Sequence, residues 1–520
     1  MDAHHILTGP EPSCPTPNTS LGRILYDSIK SHKNKVALVD AVTGETRTFS
    51  DILSKSEKLA ESILSRGVKP GDVISICSEN SIDFILPVLA TYYVGATCAP
   101  LNPLYTTREL IHSINISKPS IMFCSQKALK TVEEMSHKVE FLKEIIVFGQ
   151  SNSHSHTSFN SLLQNKSTNF QPIDVDPKEF IAAILCSSGT TGLPKGVMLT
   201  QHNILTVFGT IHEPRFGSLR EDDIALGLLP MFHSYAFACQ LMTTYIGATV
   251  VVVNGFNEEV FLKSIQNYKI TLLFLVPPLV IFLAKAKIVD NFNLSSIRSI
   301  RCGAAPLSEE VEVLLNERLG VGPVLQGYGM TETTLAVLVT PTDKHKTGSS
   351  GVVVPGMKCK VVDLETGEIL GPNRKGELCF KGPLIMKGYC GNLQATSATF
   401  DKEGFLRTGD VGYYDEDGFF FIVDRVPPAE IEALLLTHPE IKDAGVVGIP
   451  DDIAGELPLA FVVKQPDSKV TKEEIIQYIA GQVSPQKRLH GGVEFVENIP
   501  KTASGKILRR DLKLMLKAKL

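Results

Sequence analysis

The sequence predicts an α/β fold with more than one domain. A chain of 520 residues, 43% of them apolar, can bury a large core and exceeds the usual length of one domain. From Ser20 to about Leu104, segments with apolar residues at helical spacing alternate with short apolar runs typical of buried strands. Because such alternation layers helices against a sheet, it indicates α/β architecture.

The individual elements follow from this periodicity. Helices are predicted over Ile52–Leu64, Ser81–Tyr93 and Lys472–Gly481, and a capped helix is predicted to begin near Thr107. Ile270–Ala284 is predicted to be a buried strand that enters a helix, and Gln150–Ser167, rich in Ser, Asn and His, an exposed loop. Strands are predicted over Asp72–Cys77, Ala96–Ala99, Phe180–Leu185, Ile297–Ile300, Phe419–Val423, Ala444–Gly448, Leu459–Lys464 and Val493–Val496.

Composition argues against several classes of protein. The net charge of −5 has mixed signs, so the chain is not predicted to bind nucleic acid. Ten cysteines without a CxxC pair or metal-ligand spacing fit free thiols in a reducing compartment. Residues 1–20 lack the apolar core of a signal peptide. The most apolar stretches, Ile85–Leu104 and Thr271–Ala284, contain prolines and are predicted to be buried elements, so no membrane span is expected.

A loop rich in glycine and hydroxyl groups follows the predicted strand Phe180–Leu185. Glycines let the backbone approach an anion, while hydroxyls, backbone N–H groups and a lysine bind it. The string differs from the P-loop pattern, because Pro194 rather than a glycine precedes Lys195 and Gly196 rather than Ser or Thr follows it. The alternative is a flexible surface turn with a lysine beside it. The predicted phosphate-binding residues are Ser187, Ser188, Gly189, Thr190, Thr191, Gly192 and Lys195.

Two further strings combine glycines with chemically suitable side chains. In Gln326–Glu332, glycines flank Tyr328, so an aromatic ring can stack on a base while the backbone passes close by. Within this string, Thr331 can donate to a phosphate oxygen and Glu332 can hold Mg²⁺. A capped helix start is the alternative. In Pro500–Ile507, Lys506 lies on a loop that contains Gly and Ser, for which a basic tail on a helix is the alternative.

These three strings resemble the signatures of the adenylate-forming (AMP-binding) acyl-CoA synthetase family, in its 4-coumarate–CoA ligase and beetle luciferase-like branch. The resemblance extends over nearly the whole chain from about residue 20. It implies a large N-terminal α/β adenylation domain over residues 1–424 and a small mobile α+β lid domain over residues 425–520.

The resemblance also implies roles for individual residues. His233 would orient the carboxylate of the acid, and Tyr235, Gly303 and Gly327 would line the substrate pocket with it. Without the resemblance, His233 is more simply a structural histidine and Gly303–Pro306 a plain strand-to-helix turn. Asp410 and Arg425 would bind the ribose, since an ionised carboxylate accepts two O–H bonds. Lys506 would contact the carboxylate and the α-phosphate. The implied nucleotide contacts further include Gly303, Ala304, Ala305, Gln326, Gly327, Tyr328, Gly329 and Thr331; the implied catalytic residues are Lys506, His233, Thr331 and Glu332.

The chain departs from the family pattern directly after Arg425. There it continues with Val426-Pro427-Pro428-Ala429-Glu430, so about eleven family positions are missing from the start of the lid. In the family that segment contacts pantetheine and carries a lysine for the second half-reaction. Thioester formation is therefore expected to be less well preserved than adenylation.

The predicted function is ATP-dependent acyl- or aryl-CoA ligation with ATP, Mg²⁺ and CoA. The alternatives are a form that only adenylates, a non-catalytic nucleotide-binding protein, and luciferase-like oxygenation. The last residues, Ala518-Lys519-Leu520, approximate the peroxisomal Ser-Lys-Leu address, which an import receptor would read. The end of a basic helix in a cytoplasmic protein is the alternative.

Overall fold

The computed structural model describes residues 5–149, 156–164, 170–187, 194–216, 219–305, 307–363, 366–423, 428–451, 455–482, 488–501 and 507–517. In chain order the strands are β1 (Leu7–Thr8), β2 (Val36–Asp40), β3 (Thr46–Thr48), β4 (Val73–Cys77), β5 (Thr97–Leu101), β6 (Ile121–Cys124), β7 (Glu144–Val147), β8 (Thr157–Ser158), β9 (Ile181–Ser187), β10 (Lys195–Thr200), β11 (Ile224–Gly227), β12 (Thr249–Val252), β13 (Leu272–Leu275), β14 (Ser299–Cys302), β15 (Leu325–Gly329), β16 (Ala336–Val339), β17 (Val352–Val353), β18 (Lys358–Val362), β19 (Gly376–Lys381), β20 (Gly388–Tyr389), β21 (Leu406–Tyr414), β22 (Phe420–Val423), β23 (Ile441–Asp451), β24 (Gly455–Lys464) and β25 (Gly492–Phe495).

The helices in chain order are α1 (Leu21–His32), α2 (Phe49–Ser65), α3 (Ile85–Tyr93), α4 (Thr107–Ser117), α5 (Leu129–Ser136), α6 (Phe159–Leu162), α7 (Gln201–Ile211), α8 (Ser234–Ile246), α9 (Glu258–Tyr268), α10 (Pro277–Lys285), α11 (Glu309–Leu319), α12 (Leu393–Thr399), α13 (Pro428–Thr437), α14 (Lys472–Ala480) and α15 (Arg509–Lys517). Short 3₁₀ helices cover Lys287–Asn291 and Thr331–Thr333. Within the described ranges, no helix is long and apolar enough to span a bilayer.

Two large mixed sheets form most of the structure. One has the order β17-β16-β15-β14-β13-β11-β12-β2-β3, and the run from β15 to β2 is parallel. The other has the order β20-β10-β9-β5-β4-β6-β7-β8, with β9 through β8 parallel. Parallel strands are covered on both faces, which explains why their sequences are apolar without polar alternation. The α/β class predicted from the sequence is confirmed.

A five-stranded antiparallel sheet, β1-β18-β19-β21-β22, joins the same large core. The buried side chains of residues 431–512 form separate clusters around the sheet β23-β24-β25. Ala460 and Val462 of β24 face one cluster, while Leu459 and Phe461 face the other. This two-residue alternation shows that β24 is covered on both faces.

Two sequence predictions need correction. The helix predicted over Ser81–Tyr93 begins only at Ile85. A start at Ile85 leaves Pro87 in the first turn, where no backbone N–H is needed, whereas a start at Ser81 would put it in the helix interior. The predicted loop Gln150–Ser167 is not simply exposed. Its described part contains β8 and α6, because Phe159 is fully buried against Phe148 and Phe123.

Candidate active site

The two ends of the predicted phosphate loop are neighbours at the end of a β-ladder. Ser187 ends β9 and Lys195 begins β10, and the two residues pair directly in the antiparallel register. The hydroxyl of Ser187 is buried and makes no hydrogen bond with any residue in the described ranges. A buried hydroxyl without a partner is costly unless a ligand satisfies it. Ser188, Gly189, Thr190, Thr191 and Gly192 lie outside the described residues.

The Lys195 side chain contacts Tyr389, whose hydroxyl also binds the Glu332 carboxylate. The Nζ atom of Lys195 lies 4.7 Å from the centre of the Tyr389 ring, a cation–π distance. The hydroxyl of Tyr389 donates to Oε1 of Glu332 over 2.9 Å. Glu332 is only 5% exposed. Burial, reinforced by the Glu332 charge, raises the pKa of Tyr389 well above its usual value, so the phenol stays a donor at neutral pH.

The short helix Thr331–Thr333 brings Thr331 to the start of α8. Oγ1 of Thr331 lies 3.4 Å from Oγ of Ser234. His233 is the N-cap of α8, and its Nδ1 accepts a long hydrogen bond of 3.4 Å from the Tyr235 N–H. The positive end of the α8 dipole is therefore next to Thr331, which favours a negatively charged ligand there.

The predicted pocket residues Tyr235, Gly303 and Gly327 are neighbours. A Cβ placed on Gly303 would lie 3.7 Å from the Tyr235 ring and 3.2 Å from the carbonyl oxygen of Gly327. The hydroxyl of Tyr235 donates to the Arg301 carbonyl over 3.3 Å, and its ring packs edge-on against Phe274. A Cβ on Gly327 would lie 3.4 Å from the Ala336 Cβ, so at both glycines the protein itself fills the space of a side chain, and Tyr235, Gly303 and Gly327 pack closely together.

The small residues after β14 are oriented outward. Ala304 and Ala305 are exposed, and Ala304 adopts a left-handed backbone with φ of +72°. This conformation is uncommon for a residue with a Cβ, and such strain often occurs at ligand sites. Gln326 is different, because its side chain is buried and its amide contacts Glu312 and the Leu307 N–H. Its position supports the strand rather than projecting from it.

Tyr328 and Asp410 form a second tyrosine–carboxylate pair. The hydroxyl of Tyr328 donates to Oδ2 of Asp410 over 2.7 Å, and its ring packs against Phe380 at 6.0 Å between centres. Burial and the Asp410 charge raise the pKa of Tyr328 well above its usual value. The neighbouring Gly409 has a φ of +67°, and its N–H donates to Oε1 of Glu377 over 2.8 Å. The part of β21 that carries Asp410 is therefore held at two neighbouring residues, Gly409 and Asp410.

The donor set fits Mg²⁺ bound together with nucleotide phosphates. No group of three His, Cys, Asp or Glu side chains suited to a metal occurs among the described residues. Mg²⁺ does not need one, because it is usually held by one or two carboxylates, water and substrate phosphates. Oε1 of Glu332 is fixed by Tyr389, Thr331 lies on the same turn as Glu332, and the Thr331 hydroxyl is 3.4 Å from that of Ser234 in α8. Glu332 could therefore hold the ion and Thr331 a phosphate.

Two further predicted site residues, Arg425 and Lys506, also lie outside the described residues. β22 ends at Val423 and α13 begins at Pro428, so the interrupted hinge falls between them. Tyr389, Ser234 and Glu377, which contact Glu332, Thr331 and Gly409, were not among the residues predicted for the site. Each of these contacts joins residues that are distant in sequence, so no local string identified them.

Comparison with known proteins places the chain in a family. The model for the AMP-binding enzyme matches residues 25–390, and that for the AMP-binding enzyme C-terminal domain matches residues 430–506. The luciferin 4-monooxygenase of Nipponoluciola cruciata is 41% identical over 99% of this chain and 97% of its own length.

Two further similarities cover nearly the whole chain. Peroxisomal OPC-8:0-CoA ligase 1 of Arabidopsis thaliana is 38% identical over 95% of this chain and 93% of its own length. The crystal structure of ATP-bound MatB from Rhodopseudomonas palustris superposes with a TM-score of 0.84 at 26% identity, covering 96% of this chain and 99% of that one. The family models and these relatives agree with the resemblance found in the sequence. The chain belongs to the family of AMP-binding enzymes.

Proposed function

We propose that the chain is an ATP-dependent acid–thiol ligase, which activates a carboxylic acid as an acyl-adenylate and transfers the acyl group to CoA. The observation that supports this most is a continuous set of contacts. They run from Lys195 through Tyr389 to Glu332, and from the adjoining Thr331 through Ser234 to His233. The same strand and turn carry Tyr328, which binds Asp410. Groups suited to phosphate, carboxylate and ribose thus surround one strand end.

In the first half-reaction, a carboxylate oxygen of the acid attacks the α-phosphorus of ATP and the bond to pyrophosphate breaks. His233 orients the carboxylate, and Tyr235, Gly303 and Gly327 form the pocket for the acid. Donors fixed in advance stabilise the charge that develops on the transferred phosphoryl group. Lys195, Ser187 and Thr331 supply such donors, and Lys506 adds a contact to the α-phosphate. Mg²⁺, when bound at Glu332, neutralises further phosphate charge.

In the nucleoside part of the site, Asp410 accepts hydrogen bonds from the ribose hydroxyls, and Arg425 contacts the same sugar. Gly303, Ala304 and Ala305 lie along the adenine, and Gln326, Gly327, Tyr328 and Gly329 complete that wall. Here Gln326 acts by fixing the strand, since its amide is already engaged by Glu312. The exposed, left-handed Ala304 supports a backbone approach to the base.

In the second half-reaction, the CoA sulfur attacks the acyl carbon and AMP leaves. We propose that residues 425–520 form the lid that rotates between the two steps, joined to residues 1–424 near Asp424-Arg425. The shortened start of this lid removes family positions that serve CoA. Thioester formation is therefore slower than adenylation in this protein. The OPC-8:0-CoA ligase name of a 38% identical relative supports the ligase activity.

The same relative is named as peroxisomal, which together with Ala518-Lys519-Leu520 supports import into peroxisomes. Luciferin oxygenation is a second candidate, because a 41% identical relative is a luciferin 4-monooxygenase. Both activities begin with the same adenylation. Light emission with luciferin and ATP distinguishes the second candidate from the ligase.

The test is ATP–pyrophosphate exchange over a panel of aromatic and fatty acids, measured beside thioester formation with CoA. We expect exchange with at least one acid and a slower appearance of its CoA thioester. A folded protein that shows no exchange with any acid contradicts the proposal. Exchange without thioester limits the function to adenylation.

A lengthened variant tests whether thioester formation is limited by the length of the hinge or by its missing side chains. A Gly/Ser insert of about eleven residues after Arg425 gives the lid a flexible tether without adding a lysine. If length alone is limiting, this variant gains thioester formation while its exchange rate stays the same. If the missing side chains are limiting, thioester formation stays at the level of the unmodified chain.

A further inference from the structure

Tyr389 lies between two residues that the proposed function assigns to the phosphate end of the nucleotide. Its side chain is almost completely buried, with 6% of the residue exposed. Its hydroxyl donates to Oε1 of Glu332 over 2.9 Å, and Nζ of Lys195 lies 4.7 Å from its ring centre. One aromatic side chain therefore contacts an anion through its hydroxyl and a cation through its ring.

The backbone around Tyr389 is held firmly. β20 pairs with β10, so that Tyr389 lies opposite Val197 in the strand that begins at Lys195. The N–H of Tyr389 donates to Oγ1 of Thr396 over 2.9 Å, and the next N–H, of Cys390, donates to the Gly196 carbonyl over 2.8 Å. The ring thus has a fixed position relative to β10, the strand that begins at Lys195.

A second set of bonds ties the same segment to the Glu332 turn. The N–H of Met386 donates to the Glu332 carbonyl over 2.9 Å. The Asn203 side-chain amide donates to the carbonyls of Pro383 and Ile385 over 2.6 and 3.1 Å. Segment 383–390 is therefore anchored to α7, to β10 and to the Glu332 turn together.

We propose that Tyr389 is a positioning residue that sets the geometry of the metal ligand and of the loop lysine at once. This inference rests on the proposed function of the site. Through its hydroxyl, Tyr389 occupies Oε1 of Glu332, so that Oε2 would be the oxygen left to bind a metal ion. Through its ring, it holds the Lys195 ammonium beside the loop before ATP arrives. Partners of metal ligands that fix their orientation typically contribute 10–100-fold to metal affinity.

The two contacts can be separated by substitution. Tyr389→Phe keeps the ring under Lys195 and removes the hydroxyl from Glu332. Tyr389→Leu removes both contacts. Tyr414→Phe is the matched control, because Tyr414 is equally buried at 6% exposure and its hydroxyl donates to the Leu370 carbonyl. Thermal unfolding of each variant establishes that it is folded.

The first readout is equilibrium binding of ATP without metal. The second is binding of Mn²⁺ in the presence of ATP, measured by electron paramagnetic resonance as the loss of the free Mn²⁺ signal. For Tyr389→Phe we expect Mn²⁺ affinity to fall about tenfold, while metal-free ATP affinity is maintained. For Tyr389→Leu we expect both affinities to fall. Tyr414→Phe is expected to match the unmodified protein.

Two results overturn the inference. One is an unchanged Mn²⁺ affinity in folded Tyr389→Phe, and the other is an equal loss of metal-free ATP binding in the Phe and Leu variants. Failure of the proposed function has a different signature. An unmodified protein that binds ATP and Mn²⁺ but exchanges no pyrophosphate removes the ligase proposal and leaves the role of Tyr389 intact. An unmodified protein that binds no ATP removes both.

Discussion

Two tyrosine–carboxylate pairs lie at opposite ends of the Gln326–Glu332 segment, and they use the same bond in different surroundings. Tyr389 donates to Glu332 over 2.9 Å, and Tyr328 donates to Asp410 over 2.7 Å. The ring of Tyr389 faces the Lys195 ammonium, whereas the ring of Tyr328 packs against Phe380. One pair is therefore coupled to a second charge and the other to the apolar core.

This difference suggests that the two pairs have different roles in ligand binding. A pair coupled to the Lys195 ammonium responds to phosphate and metal charge, because a cation and a carboxylate flank its tyrosine. In the pair anchored in the core, the Asp410 carboxylate keeps one orientation. This suits hydrogen bonds from the neutral ribose hydroxyls, because such bonds depend on the direction of the acceptor more than on its charge. The Glu332 pair should therefore control metal and reaction rate, and the Asp410 pair nucleotide affinity.

The largest expected effect comes from Glu332→Gln. The amide oxygen can still accept from Tyr389, so the fold is maintained, but the negative charge for Mg²⁺ is lost. We expect pyrophosphate exchange at saturating ATP to fall roughly 100-fold, the loss usual for one electrostatic group of a phosphoryl site. In a titration with Mg²⁺, half-maximal exchange should require a higher Mg²⁺ concentration than in the unmodified protein. An exchange rate and Mg²⁺ dependence equal to those of the unmodified protein would remove Glu332 from the metal site.

Asp410→Asn should act on nucleotide binding instead. Loss of a charged acceptor costs about 1.5–3 kcal/mol, so we expect KM for ATP to rise roughly tenfold or more while Mg²⁺ dependence is unchanged. Deoxy-ATP analogues provide the control. The unmodified protein should discriminate against an analogue that lacks a ribose hydroxyl, and the variant should have lost that discrimination. If the variant still discriminates fully, Asp410 does not bind the ribose.

Much of this arrangement was predictable from local strings. The strand before the phosphate loop and the capped start of α4, with Thr106 and Glu109 bonded reciprocally, are local in sequence. The glycines around Tyr328 were predicted to bring the backbone close to a base. At Gly329 the close approach is instead within the protein, because a Cβ there would lie 1.9 Å from the Leu335 carbonyl oxygen.

The partners of the predicted residues were not predictable in the same way. The sequence identified Tyr328 and Asp410 separately, but their bond joins positions from two different sheets. Tyr389 lies in a two-residue strand without periodicity, and its contact with Glu332 depends on how β20 pairs with β10. Long-range register decides such contacts, and a single sequence contains no direct record of it.

The smallest expected effect concerns the response of stability to alkaline pH, which tests what the two pairs share. Burial and Asp410 raise the pKa of Tyr328 in the folded state, whereas the phenol ionises near its ordinary pKa of about 10 when unfolded. Above pH 10 the unfolded chain therefore releases a proton that the folded protein retains. The stability from this group is complete below pH 10 and falls as pH rises further, by at most about 1.4 kcal/mol per pH unit.

Tyr328→Phe lacks this titration, so its unfolding temperature should fall less than that of the unmodified protein between pH 9 and 11. Tyr389→Phe should shift in the same direction, because burial and Glu332 raise the pKa of that phenol too. Parallel curves for the unmodified protein and both variants would mean that neither phenol is held in its protonated form by the carboxylate it contacts.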